Sequence, residues 1–370
     1  MSRLFSRLRV FLVLFAATLI SLTSLAAPPV AEAAGPRPNA QLLRRAMAVQ
    51  DGHTKQLFAK QGVVGTATGI DNGQPVIIVM ITRLRNAQQI PKMLEQVRVV
   101  TIVTGTIYSK AKPDKSGKGG GGKDGGEKID PKSRFTRPVP IGVSTGNEGL
   151  CSSGTIACRV KDASGAFYLL SNNHVAALTN LAPIGSDILQ PGRVDVGCTD
   201  DTNDITIATL YAFEHIKFGD GTDNENTIDA AIALSSADDL RNTTPSNGYG
   251  LPKSTTINPT SALGQTVQKY GRTTGLTKGR VTGINATVRV SYGTNMIGTF
   301  VKQIIIQKIK GRAIIQAGDS GSLVVIQSDD VDNDRRPVGL MFAGNSSGSL
   351  AVANPIDLVL SQFGVTIDGE

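Results

Sequence analysis

The sequence predicts a mainly β protein, in which a small α+β (β-β-α-β) layer precedes a larger all-β region built as a barrel, a sandwich or a pair of small barrels. Three observations carry this. After residue 138, ten or more short apolar runs recur (among them TIACRVKD, FYLLSN, DITIATL, TVRVSYG, SGSLVVIQ and PVGLMFAG), parted by Gly, Asn and Asp turns. No helical pattern long enough to serve as a crossover separates them, which argues against a parallel α/β sheet. Glycine is abundant (41 of 370 residues), aromatic content is 5% and tryptophan is absent, a composition suited to many short strands and tight turns. A chain of this length, 40% apolar, has room for a large core and two domains.

The elements follow in chain order. Residues 1–33 read as a secretory signal peptide. Arg3, Arg7 and Arg9 form its basic start, residues 10–22 its apolar stretch, and Ala26 or Ala33 ends a small-residue cleavage site. An uncleaved anchor is the alternative, but the apolar stretch falls short of the ~20 residues a span needs. No other segment could cross a bilayer, so the expectation is a protein exported to the periplasm or medium, with no stable membrane span after signal cleavage. Residues 36–109 form the small α+β domain. Residues 40–50 are helical in pattern, and 63–82 read as two strands joined at Asp71-Asn72-Gly73, a strong hairpin signal. Residues 86–96 are expected as a helix with Pro91 near its start, and 97–109 as a strand. Residues 110–137, dominated by Gly and Lys, have no apolar face and read as a flexible linker. Residues 138–370 are the β-rich domain.

Charge and cysteines exclude several classes. The net charge is +8, but unevenly placed. Residues 27–109 carry nine basic and four acidic side chains, 110–138 the same again, and 139–370 seventeen basic against twenty-two acidic. The large domain is therefore mildly acidic. With no aromatics interleaved among the lysines, nucleic acid is not an expected partner. Cys151, Cys158 and Cys198 allow one disulfide and leave one thiol; the sequence does not choose the pair. No metal or other cofactor is expected. His53, His174 and His215 lie far apart, and no close cysteine pair suggests zinc. Asp330, Asp332 and Asp334 alternate like the start of a calcium loop, but Arg335 stands at the glycine position and Met341 at the final glutamate, so an exposed hairpin tip is the better reading.

One stretch poses a chemical question. In AIIQAGDSGSLVV (residues 313–325) Ser320 stands between an acid and a glycine, where two apolar runs meet. A serine hydroxyl needs a base within hydrogen-bond reach to become a nucleophile. His174, at the exit of the strand-like YLLSN with small residues after it, is the better of two histidines in this half; His215 is flanked by charge and reads as a surface residue. A histidine base needs a third group to fix its tautomer. Asp229 heads an apolar run, where a carboxylate would be buried and require a partner. Asp187, Asp195, Asp200, Asp201 and Asp204 lie in polar, turn-like stretches and read as solvated.

The segments Leu-Ser-Asn-Asn-His-Val (170–175), Asp-Ala-Ala-Ile-Ala (229–233) and Gly-Asp-Ser-Gly-Ser (318–322) resemble the three signature segments of trypsin-like (chymotrypsin-clan) serine peptidases, in that clan's His–Asp–Ser order. LSNNHVAALTN, ILQPG and KYGRTTGLTKGRVTGI are similar to a bacterial branch of those peptidases related to plant narrow-leaf-type proteases. The resemblance spans residues 139–365. It implies a two-barrel fold and a serine endopeptidase (a hydrolase) acting on protein or peptide substrates through an acyl-enzyme intermediate. Ser320 would be the nucleophile, His174 the general base and acid, and Asp229 its orienter. The backbone N–H groups of Gly318 and Ser320 would form the oxyanion hole, with a side chain at 318 expected to obstruct the substrate. Asp319 would support the turn. Ile314 would stand at the base of the primary pocket and Phe342, Ala343 and Gly344 along its bordering strand, which implies a preference for apolar or small residues. No Ile-Val-Gly-Gly start follows the linker, so activation by a new N-terminus is not expected.

Two alternatives belong to other classes: a catalytically silent relative acting as a binding module, and an esterase or a single-turnover self-cleaving protein. The opposite charges of the two halves also suggest an intramolecular contact of the N-terminal domain with the catalytic one, as propeptide, inhibitor or folding aid.

Overall fold

The computed structural model describes residues 39–109, 129–199, 205–219 and 224–370. The expected signal peptide and residues 110–128 of the expected linker lie outside these residues.

The N-terminal region begins with α1 (Ala40–Phe58), capped by Asn39, whose side-chain oxygen accepts the Gln41 N–H at 2.8 Å. Its buried face carries Leu43, Ala46, Val49, Gln50 and Leu57. Strands β1 (Val63–Asp71) and β2 (Gln74–Ile81) form the expected hairpin. Asn72 (φ 51°) and Gly73 (φ 74°) are both left-handed, as a two-residue type I′ turn demands. The expected helix over 86–96 does not form. A 3₁₀ helix (Leu84–Gln89) gives way to β3 (Met93–Leu94), because Ile90 precedes Pro91 and is driven to extended backbone (φ −87°, ψ 127°). β4 (Val97–Val103) pairs in parallel with β2, and β5 (Ile107–Ser109) closes the region.

The remaining strands form two curled sheets, as the mainly β, two-barrel expectation requires. The first contains β6 (Ser144–Asn147), β7 (Gly154–Thr155), β8 (Cys158–Lys161) and β9 (Phe167–Ser171). After the one-turn helix α2 (Asn173–Ala176) come β10 (Asp187–Leu189) and β11 (Thr206–Phe213). The short strand β12 (Glu225–Asn226) joins the other sheet, and β13 (Ala231–Ser235) returns to the first. Through the bend at Ile156-Ala157, β7 bonds to β6 and β8 to β9, which curls the first sheet round on itself. The second sheet is a closed ring of six: β14 (Thr266–Gly271), β15 (Gly275–Gly293), β16 (Met296–Lys308), β17 (Leu323–Ile326), β18 (Pro337–Asn345) and β19 (Leu350–Pro355). A terminal helix (Ile356–Phe363) and β20 (Thr366–Ile367) pack back on the first sheet.

The N-terminal strands extend the second sheet. β1 pairs with the outer part of β15 (Gly65↔Val288), and β5 lies between β15 and β18, parallel to one and antiparallel to the other. Gln50 of α1, fully buried, donates to Asn285 O at 2.7 Å and accepts from Thr68 Oγ1 at 2.7 Å.

The disulfide joins Cys151 to Cys198, and Cys158 is the free, buried thiol. Burial pushes that thiol well above its ordinary value. Residues 328–336 form the turn between β17 and β18, with Val331 exposed at its tip.

Candidate active site

Strand register brings the first two candidates together. β9 and β13 are antiparallel neighbours with Ser171 opposite Ala231. Continuing that register, the residues just beyond Ser171 lie opposite those just before Ala231, which brings His174, three residues past Ser171, up to Asp229, two residues before Ala231. His174 sits on α2, with Nδ1 2.5 Å from Asp229 Oδ2, and its backbone N–H donates to Asp229 Oδ1 at 3.2 Å. A carboxylate facing Nδ1 fixes the ring proton there and leaves Nε2 as the acceptor. Asn172 Nδ2 holds the Asp229 carbonyl at 2.7 Å. Asp229 N–H is held by Asn354 Oδ1 at 3.1 Å, and Asn354 in turn donates to Gln303 Oε1 at 2.8 Å. Both barrels thus grip the loop that carries Asp229. The pair is almost wholly buried, with side-chain exposures of 1% and 0%. A carboxylate so buried requires several donors. A third donor comes from Tyr292, whose hydroxyl lies 2.7 Å from Asp229 Oδ2.

Ser320 occupies a tight turn before β17. Gly318 (φ 94°) and Gly321 (φ 93°) are left-handed, and each is hemmed in. A Cβ on Gly321 would stand 2.1 Å from Thr155 O. One on Gly318 would strike Arg272 Nη1 at 2.3 Å and Thr273 Oγ1 at 2.6 Å, so packing against Arg272 and Thr273 by itself requires glycine there. The first barrel pins the turn: Thr155 N–H donates to Ser320 O, and Thr155 Oγ1 to Gly318 O, both at 2.8 Å. Among the described residues, neither the Gly318 nor the Ser320 backbone N–H finds an acceptor. The Ser320 hydroxyl donates to Phe342 O at 3.4 Å, while His174 Nε2 is buried without a partner among the described residues. Ser320 is fully buried.

Asp319 supports this turn as expected. Its Oδ1 accepts from Thr273 N (3.0 Å) and Thr274 N (3.1 Å), and its Oδ2 from Gln316 N and Thr274 Oγ1, both at 2.8 Å. Lys269, also wholly buried, lies 3.3 Å from Asp319 Oδ1 and contacts Thr274 Oγ1. Burial pushes the Lys269 ammonium below its ordinary value, and Asp319 opposes that shift.

Sequence reasoning missed this support. Lys269 carries a legible signal, a lysine in the middle of the strand-like TVQKYG. Asp195, expected to be solvated, is instead buried in a two-pronged pair with Arg272 (Nε–Oδ2 2.6 Å, Nη2–Oδ1 2.5 Å) behind Gly318. Tyr292 gave no signal at all. Of the pocket candidates, Ile314 packs among Val281, Ile306 and Met341, and Phe342 turns its ring onto Phe300 at 4.8 Å. Ala343 and Gly344 are buried, and β5 runs along them in the register Ala343↔Ser109 and Gly344↔Tyr108. His215 is exposed just past β11.

Residues 248–359 match the sequence profile of the Nal1 C-terminal domain. Among solved structures, the chain is similar to Protease A of Thermobifida fusca (18% identity, 63% of this chain and 100% of that one, TM-score 0.42). It is similar also to a glutamic acid-specific serine protease (22% identity, 62% and 100%, TM-score 0.41) and to the chymotrypsin of Cellulomonas bogoriensis (18% identity, 63% and 99%, TM-score 0.40). No curated protein sequence matches the chain.

Proposed function

We propose that the chain is an exported serine endopeptidase of the trypsin-like clan, in a bacterial branch similar to the plant narrow-leaf-type proteases. The profile match over 248–359 supports the branch. The observation that carries the activity is the buried His174–Asp229 pair together with a Ser320 turn whose Gly318 and Ser320 N–H groups find no acceptor among the described residues. The Ser320 hydroxyl leaves Phe342 O, passes its proton to His174 Nε2 and attacks the scissile carbonyl. The resulting oxyanion is held by the two free N–H groups. His174 returns the proton to the departing amine, and water, activated by the same imidazole, hydrolyses the acyl-serine. The pocket assignment of Ile314, Phe342, Ala343 and Gly344 is carried by the resemblance alone, since Ile314 and the Phe342 ring turn into the core and β5 runs along Ala343 and Gly344. With no acid among the four, the reading has cleavage follow apolar or small residues. Export rests on the N-terminal sequence; no helix among the described residues is long and apolar enough to cross a membrane.

A fluorophosphonate probe tests this. Ser320 labels in the wild type and not in Ser320→Ala, and casein is turned over many times. One observation favours the second reading, a silent or single-turnover relative: Ser320 is wholly buried, with β5 lying on the neighbouring edge of β18. Folded wild type that fails to label, or that stops after one event, decides for that reading. A substrate profile returning Arg or Lys at the cleaved position rejects the pocket assignment.

A further inference from the structure

Asp229 Oδ2 serves two donors. His174 Nδ1 is 2.5 Å away, and the hydroxyl of Tyr292 donates to the same oxygen at 2.7 Å. Tyr292 reaches in from the other barrel, one residue short of the end of β15, at the tip of the β15–β16 hairpin. Its ring stands edge-on to the imidazole, with centroids 5.8 Å apart and planes at 77°. Phe218 packs on the tyrosine edge-on at 5.4 Å, and Phe300 stacks on it at 6.1 Å. Phe300 also touches Phe342, whose carbonyl receives the Ser320 hydroxyl. The ring is thus wedged on two sides and its hydroxyl has one direction to point.

A carboxylate on a two-residue lead-in to a strand can turn about its last side-chain torsion, and that turn would spoil its alignment with Nδ1. A second donor on Oδ2, approaching from the opposite barrel, blocks the turn. It also draws off part of the charge that would otherwise fall on the imidazole. The titratable groups facing the Asp229 carboxylate are His174 and Tyr292; Asn172 and Asn354, which contact its backbone, are neutral. Burial, reinforced by the Asp229 charge, raises the Tyr292 phenol well above its ordinary value, so it remains a donor.

We propose that Tyr292 is a positioning residue for His174, acting through Asp229; this rests on the serine-peptidase reading above. The residue works by holding the carboxylate plane, and it touches no reacting atom.

Tyr292→Phe in the full chain keeps the wedged ring and removes the hydroxyl alone. The second-order rate of Ser320 labelling by a small fluorophosphonate, followed against pH, is the first readout. The plateau rate falls about tenfold or more, as loss of one hydrogen bond to a charged group implies. The acid limb moves to higher pH, because a carboxylate with one donor fewer favours the imidazolium. The second readout needs no activity: the ring C–H resonances of His174, one of only three histidines, titrate at higher pH in Tyr292→Phe. A variant that labels at the wild-type rate, with an unmoved limb and an unmoved His174 titration, overturns the assignment and leaves Tyr292 a packing residue. Folded wild type that does not label at Ser320 overturns the peptidase reading itself, and the two failures are distinct.

Discussion

Lys269→Met removes the cation from a wholly buried ion pair without touching Ser320, His174 or Asp229. The methionine fills much of the lysine's volume, so the change is chiefly one of charge. Asp319 is then left buried with four neutral donors (Thr273 N, Thr274 N, Thr274 Oγ1 and Gln316 N) and no counterion. Deleting one partner of a buried pair usually costs ~3–5 kcal/mol. Four surviving donors place this case at the lower end, about 3 kcal/mol. At ~2 °C per kcal/mol for a chain this large, the unfolding midpoint drops by about 6 °C. Asp319 precedes Ser320, so the turn relaxes with it, and fluorophosphonate labelling falls at temperatures where the variant is still folded. Calorimetry and labelling of the same preparation measure both. The pair also leaves a mark on the alkaline side of the stability profile. Burial lowers the folded-state Lys269 value, so between the folded and unfolded values the unfolded chain holds the extra proton. On this group alone, stability therefore rises with pH through that window, and Lys269→Met removes the slope. A variant that melts and labels like wild type would show that the four neutral donors alone hold Asp319 and that Lys269 contributes nothing to the turn.

Cys198→Ser opens a loop of 47 residues, for which chain entropy gives a loss of up to ~4 kcal/mol in denaturant unfolding; a variant as stable as wild type removes the disulfide from the account. In the same experiments Cys158 stays unreactive toward a thiol reagent until the chain unfolds, because it is buried and its thiol is pushed up. Gly321→Ala puts a methyl group 2.1 Å from Thr155 O on a left-handed backbone, so labelling of Ser320 is lost even where the protein folds; retained labelling would mean that β7 yields.

The parts of the fold legible in the sequence were those specified by neighbours along the chain. Asn72-Gly73 dictates its own turn, and Asn39 caps α1 from one residue away. Segments 167–171 and 231–235 read as strands from their own residues. The approach of His174 to Asp229 then follows from the pairing of those two strands, a single long-range register. What escaped depends on pairings that no local pattern specifies. Asp195 sits in a polar stretch and reads as solvated, yet Arg272, seventy-seven residues on, buries it. The segment 86–96 has helix-forming residues, but one proline and the pull of β4 on Met93-Leu94 decide against a helix. Tyr292 stands in a run like any other edge of a strand, and only the long β15–β16 hairpin, projecting beyond the ring, delivers it to Asp229.

That delivery ties the N-terminal region to the site. The inner part of β15 belongs to the closed ring, but its outer part, from Ala286 to Gly293, projects as a hairpin with β16. A two-stranded ribbon alone is marginal in water. Here β1 flanks it at Gly65↔Val288, and β5 pairs at Val290↔Ile107 and Ser291↔Tyr108, next to Tyr292. Ile107 is wholly buried there, and Leu43 of α1 packs among Val281, Ile304 and Ile306. A chain begun near Pro138 loses both flanking strands at once. If residues 36–109 serve as a folding aid, this shorter chain is less stable, and its Ser320 labelling shows the slowed rate and raised acid limb expected of Tyr292→Phe. Adding residues 36–109 in trans then restores both. If they serve instead as an inhibitor, through β5 on the edge of β18, labelling of the shorter chain is unchanged or faster, and peptide turnover rises. A shorter chain that folds, labels and cleaves as the full chain does would exclude both roles. The double pairing of β5 favours the first outcome, since a strand bonded on both sides is part of the sheet that sets Tyr292 in place.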